Sequence, residues 1–107
     1  MQNLRTDDIH TFVTFAEGER DLWHTVRALK IRPDVIRARI DSLEQAIGAP
    51  VIDREQAGDG AAGIHRAPLT QAGQALFMES RELFLRWPAV LAKVARAAAD
   101  NTLAFRA

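Results

Sequence analysis

Residues 21–48 read DLWHTVRALKIRPDVIRARIDSLEQAIG, and the spacing of their apolar side chains decides the fold. Leu22, Val26 and Leu29 recur at i, i+4 and i+7, and Ile36, Ile40, Leu43 and Ile47 at i, i+4, i+7 and i+11. Each run gathers its apolar groups on one stripe of an α-helix. Pro33 suits the first turn of the second helix, where its missing N–H is not needed, and Gly48 suits its end. Two short amphipathic helices joined by about three residues, Lys30 to Arg32, make a helix-turn-helix. Within residues 27–39, Arg27, Lys30, Arg32, Arg37 and Arg39 face the single acid Asp34. Cations gathered on the outer faces of such a unit point to the phosphates of DNA.

The rest of the chain can be read as holding that unit in place. Upstream, Thr6 is the expected N-cap of a first helix from about Asp7 to Glu17, with Asp7 and Asp8 where carboxylates favour the helix dipole. Ile9, Phe12, Val13 and Ala16 form its stripe, Phe15 lies beside it, and Gly18 ends it. Downstream, residues 49–54 are a short extended piece, 55–68 hold three glycines, and Pro68 to Thr70 resume order. Two short strands around a Gly-rich loop would make a β-hairpin, the wing that follows a helix-turn-helix. The same AGDGAAG tract lacks the Lys-Ser/Thr ending of a phosphate-binding loop and the strand-GxGxxG-helix setting of a dinucleotide site.

Thr70 is the expected cap of a last helix, which meets Pro88, where a kink or break is expected. Leu76, Leu83, Trp87, Val90, Leu91 and Val94 give that helix an apolar face wider than one small domain needs, so pairing with a second copy is expected. Residues 1–69 are thus expected to form a DNA-binding domain, 70–100 a dimerisation helix, and 101–107 a tail without clear pattern.

Composition sets the outer bounds. At 107 residues, 48% hydrophobic and 26% charged, the chain suits one globular domain. With no cysteine there is no disulfide or Cys-based zinc site. No apolar run approaches a membrane span and MQNLRTDD is unlike a signal peptide, so a soluble cytoplasmic protein is expected. His10, His24 and His65 fall on three different elements without ligand spacing, and the serines lack a nucleophile setting. Neither metal, cofactor nor catalysis is expected. The net charge of zero hides a concentration: residues 1–26 carry −3, 27–39 carry +4, 40–60 carry −4 and 61–107 carry +3.

The order helix, helix-turn-helix, wing, long helix resembles the N-terminal winged helix-turn-helix of LysR-type transcriptional regulators over roughly residues 4–98. IHTFVTFAEGE is similar to that family's first helix, TVRALKIRPDVIRARIDSLEQAIGAPVIDR to its helix-turn-helix as far as the wing, and LTQAG to the start of its linker helix. The long Gly-rich wing also resembles the N-terminal domain of ModE-type molybdate regulators. The resemblance implies a mainly α winged fold of three helices, a short hairpin and a long dimerisation helix. It also implies a homodimeric, sequence-specific DNA-binding regulator with helix 33–48 in the major groove. No room is left for the effector domain of those families, so the alternative is a winged-helix interaction module that heterodimerises with another regulator.

On this reading Arg37 is the candidate for base contact and Arg32 reaches a base or phosphate at the helix entrance. Pro33, Asp34 and Ala38 stand where relatives place contacting side chains, and Asp41 lies on the same face. Arg27 and Lys30 are candidates for phosphate. His65 and Arg66 in the wing either reach the minor groove or lie in an exposed loop. Trp23 is expected to be partly buried packing rather than an N–H donor to phosphate.

Overall fold

Four α-helices and one 3-10 turn make up the computed structural model, which describes residues 4–58 and 63–106. α1 (Thr6–Glu17) starts one residue earlier than expected, with Arg5 rather than Thr6 at its N-cap position. Phe12 and Val13 are buried as their spacing requires, and Phe15 is fully buried with them. α2 (Leu22–Leu29) and α3 (Pro33–Ile47) follow. Leu22, Ile36, Ile40 and Leu43 are wholly withdrawn from water, whereas Ile47 is 39% exposed and Ala46 turns inward instead. Lys30 closes α2 in the left-handed region at φ 56°, and Gly48 closes α3 at φ 83°.

Between α3 and the last helix the expected hairpin is absent among the described residues. A single antiparallel bridge pairs Ile52 with Leu69, flanked by Asp53 N–H donating to Pro68 O (2.8 Å) and Thr70 N–H to Val51 O (3.1 Å). Beyond it the chain coils into a 3-10 turn (Arg54–Gln56), whose Glu55 N–H donates to the Asp53 carboxylate at 3.2 Å. Two local causes stop the ladder. Asp53 captures an amide with its own side chain, and Pro68 has no N–H to offer. The hairpin tip, 59–62, lies outside the described residues. The two arms still serve the core, since Val51, Ile52, Ile64 and Ala67 pack with Phe12, Phe15 and the α2–α3 stripe.

α4 (Gln71–Arg106) begins as expected at Thr70, whose hydroxyl accepts from Gly73 N–H (3.0 Å) and donates to Pro50 O (2.7 Å). Its first turns lie against α1. Leu76 and Phe77 pack on the core, Phe84 stacks at 5.1 Å from His10, and Arg81 pairs with Glu17 at 2.5 Å. Pro88 does not break the helix, which continues through 101–106 where the sequence offered no pattern. Proline removes one backbone bond, and at this exposed position water can satisfy the carbonyl left over. All residues from 86 to 100 are exposed. A 36-residue helix is about 54 Å long, so α4 extends the body to 63 × 30 × 20 Å. No described helix is long and apolar enough to cross a membrane.

Gly73 is set so close to the preceding arm that a Cβ there would stand 1.9 Å from the Val51 carbonyl oxygen. Gly73→Ala is therefore expected to lower stability by about 3 kcal/mol, in the range of overpacked cores, measured by thermal or urea unfolding. Unfolding like that of the parent would show that α4 can move away from Val51.

Candidate nucleic-acid interface

The outer surface of the helix-turn-helix is set by how α3 is seated. With Ile36, Ile40 and Leu43 inward, Asp34, Ala38, Asp41 and Gln45 face out and Pro33 is half-buried at the first turn. The arginines are not equivalent. Arg39 turns back to α1, its Nη1 donating to Thr11 Oγ1 at 3.2 Å. Arg37 is half-buried, with its Nε shielded and without a hydrogen-bond partner. Arg32 grips Asp34 through Nε (3.2 Å) and Nη2 (3.3 Å). These side chains are 81% and 62% exposed, so the pair contributes little stability and can open. Arg27 and Lys30 are exposed and make no ion pair among the described residues.

Asp41 is committed elsewhere. Arg54 Nη2 lies 2.5 Å from both Asp41 Oδ1 and Glu44 Oε1, and Glu44 Oε2 accepts from Val51 N–H at 2.8 Å. Burial works against the Arg54 charge, but hydrogen bonds and attraction from Glu44 and Asp41 outweigh it and raise its pKa. This network clamps the end of α3 to the following arm. Acids three apart on α3 and a lone arginine ten residues on were its only trace in the sequence.

Arg66 and His65, expected in the wing, are folded back on the α1–α2 turn. Arg66, itself at φ 63°, donates its N–H to Arg20 O at 2.7 Å and its Nη1 to Glu19 O at 3.2 Å. Its Nη2 lies 3.5 Å from Asp21 Oδ2. His65 Nδ1 accepts from Leu22 N–H at 3.1 Å, a role open only to neutral imidazole carrying its proton on Nε2. Glu19 and Arg20 are both left-handed, at φ 58° and 62°, so this contact holds two residues in a costly conformation. Trp23, expected to be packed, is 51% exposed.

On α4, Leu76 lies in the first turns, half-buried against the core cluster. Leu83, Trp87, Val90, Leu91 and Val94 are exposed, Leu83 to 68% and Trp87 to 55%. Leu83, Trp87 and Val90 border a cavity of about 590 Å³ that reaches Thr6 and Ile9 of α1. Among the described residues no three His, Asp or Glu side chains stand together so as to hold a metal ion.

Asp21 caps α2, accepting from Trp23 N–H (2.9 Å) and His24 N–H (3.1 Å). The His24 amide is the main cause holding its carboxyl below the ordinary value; partial desolvation opposes, and the Trp23 amide and Arg66 assist. A depressed folded value means that Asp21 stabilises the fold fully above 3.8, its ordinary pKa, and loses that effect as pH falls from there through the folded value. Asp21→Ala is expected to melt below the parent at neutral pH, with a gap that narrows below about pH 4. A gap independent of pH would refute this.

No protein-family model matches the sequence, and no curated protein matches it at a significant level. Solved structures do match. LysG of Corynebacterium glutamicum with bound effector Arg is 21% identical with a TM-score of 0.71, over 91% of this chain and 30% of that one. DarR of Vibrio fischeri in complex with DNA is 18% identical with a TM-score of 0.72, over 91% and 30%. HypT of Salmonella typhimurium, a hypochlorite-specific LysR-type regulator, is 18% identical with a TM-score of 0.67, over 89% and 29%. The chain thus spans under a third of the length of these proteins. Across nine-tenths of its residues it has the fold of the N-terminal DNA-binding domain of LysR-type regulators.

Proposed function

We propose that this chain binds double-stranded DNA as the N-terminal domain of a transcriptional regulator, with 33–48 in the major groove. Residues 1–69 are the DNA-binding unit, 70–100 the helix that pairs two copies, and 101–107 follow it. The observation that carries the reading is α3, buried on one face and bare on the other, in a fold shared with a protein solved on DNA. Flanking the bare side, half-buried Arg37 with no partner at its Nε is the base-reading side chain, a guanidinium being suited to guanine O6 and N7. Pro33, Asp34 and Ala38 line the contact, and Arg32 is available once its exposed pair with Asp34 opens. Arg27 and Lys30 neutralise phosphates. Asp41 and Arg66 are withdrawn from it by their pairings within the chain.

Homodimerisation is supported by the exposed row Leu83, Trp87, Val90, Leu91 and Val94 and by the groove beside it. A second copy would cover that apolar surface. The second reading is an interaction module that pairs with another regulator. It is favoured by Asp34 and Asp41 on the outer face of α3, where cations are engaged within the chain. No cofactor enters either reading.

Recovery of genomic fragments bound by the purified protein at two salt concentrations tests the first reading. Binding is expected to weaken steeply as salt rises. Arg37→Ala should relax preference at one base pair by about 1–3 kcal/mol, and Lys30→Ala should weaken all sequences and reduce the salt slope by about one. No fragment bound at low salt would refute DNA binding, and capture of a partner by a variant without the Arg32 and Arg37 charges would favour the module. In sedimentation, the parent is expected to run as a dimer and Leu83→Asp with Val90→Asp as a monomer. A parent that is monomeric at all concentrations refutes the pairing.

A further inference from the structure

Trp23 is the residue on the helix-turn-helix that neither core nor fold explains. It stands in the first turn of α2, half in solvent, and its indole N–H has no acceptor among the described residues. A tryptophan normally buries most of its ring or pairs its N–H. Its neighbours along the same strip are Arg27, one turn on, and Lys30 at the end of the helix, both exposed. α2 itself, LWHTVRAL, contains no acid. The capping carboxylate of Asp21 is turned to backbone amides and to Arg66. The strip therefore presents a donor-only indole and two cations, and no acceptor. Seven residues of helix rise about 10 Å, the axial span of about three phosphates on one DNA strand.

We propose that Trp23 is a DNA-backbone contact whose indole N–H donates to a phosphate oxygen, in line with Arg27 and Lys30. This rests on the DNA-binding reading above. A neutral donor displaces no condensed counterion, so Trp23 sets the strength of binding at every salt concentration and leaves the salt dependence to the cations. The contact carries no sequence information, because every nucleotide presents the same phosphate.

The test is equilibrium binding of a labelled mixed-sequence duplex of about three turns, across a salt series, by the whole chain and by Trp23→Phe, Trp23→Ala and Lys30→Ala. Trp23→Phe keeps a ring and lacks the donor. Both Trp23 variants are expected to bind about tenfold more weakly, as for loss of a hydrogen bond to a charged group, with the slope of log K against log salt unchanged. Lys30→Ala should lower that slope by about one. Trp23→Phe binding as tightly as the parent would overturn the proposal while DNA binding stands, and so would a reduced slope in that variant. A Trp23→Phe chain that loses its melting transition would show the ring to be structural and overturn it too. A parent that binds no duplex at low salt removes the DNA-binding reading itself.

Discussion

The seating of α3 on α1 is the constraint from which the remaining geometry follows. Ile36, Ile40 and Leu43 are wholly removed from water against Phe12 and Phe15, each worth about 1.5–3 kcal/mol of burial. A helix so anchored has one rotational setting, because turning it by a single residue moves its stripe by about 100°. Which side chains are presented outward is therefore decided by the core. Ala38, Gln45 and the acids Asp34 and Asp41 are outward because the isoleucines are inward.

Local periodicity carried much of this in the sequence. Both helices of the motif, the turn at Lys30 to Arg32, the stop at Gly48 and the cap at Thr70 are decided by residues a few positions apart, and they stand where spacing puts them. What the sequence concealed depends on contacts across the fold. Phe15 is off its helix's stripe yet fully buried, because α1 is covered on more than one side. Leu76 and Leu83 look alike in sequence, but Leu76 packs against the core cluster whereas Leu83 is 68% exposed. Among the described residues the hairpin is absent for local reasons that alternation of residues does not reveal, the capture of an amide by Asp53 and the missing N–H of Pro68. His65 and Arg66 are expected in the wing, since nothing within 40 residues of them announces Leu22 or Glu19 as partners.

Charge is the other quantity that sequence overstates. The basic segment shows five cations, but Arg39 is spent on Thr11 and Arg32 on Asp34. Arg54, outside that segment, fixes the α3 terminus. Arg27, Lys30 and Arg37 have no ion pair within the described residues, two of them on α2 or its end, and Arg32 joins them when its exposed pair with Asp34 opens. How far a cation can reach toward a polyanion depends on what holds its head group, and that depends on the fold rather than on composition.

Val51 gives the molecule a mechanical property. Its N–H is held by Glu44 of α3 and its carbonyl by Thr70 at the start of α4, where Gly73 leaves no slack against it. One residue thus ties the two helices together through its own backbone groups, while its side chain sits in the apolar core. The start of α4 and the end of α3 are therefore positioned by the same residue. It follows that two copies joined along α4 would hold their α3 helices at one fixed separation.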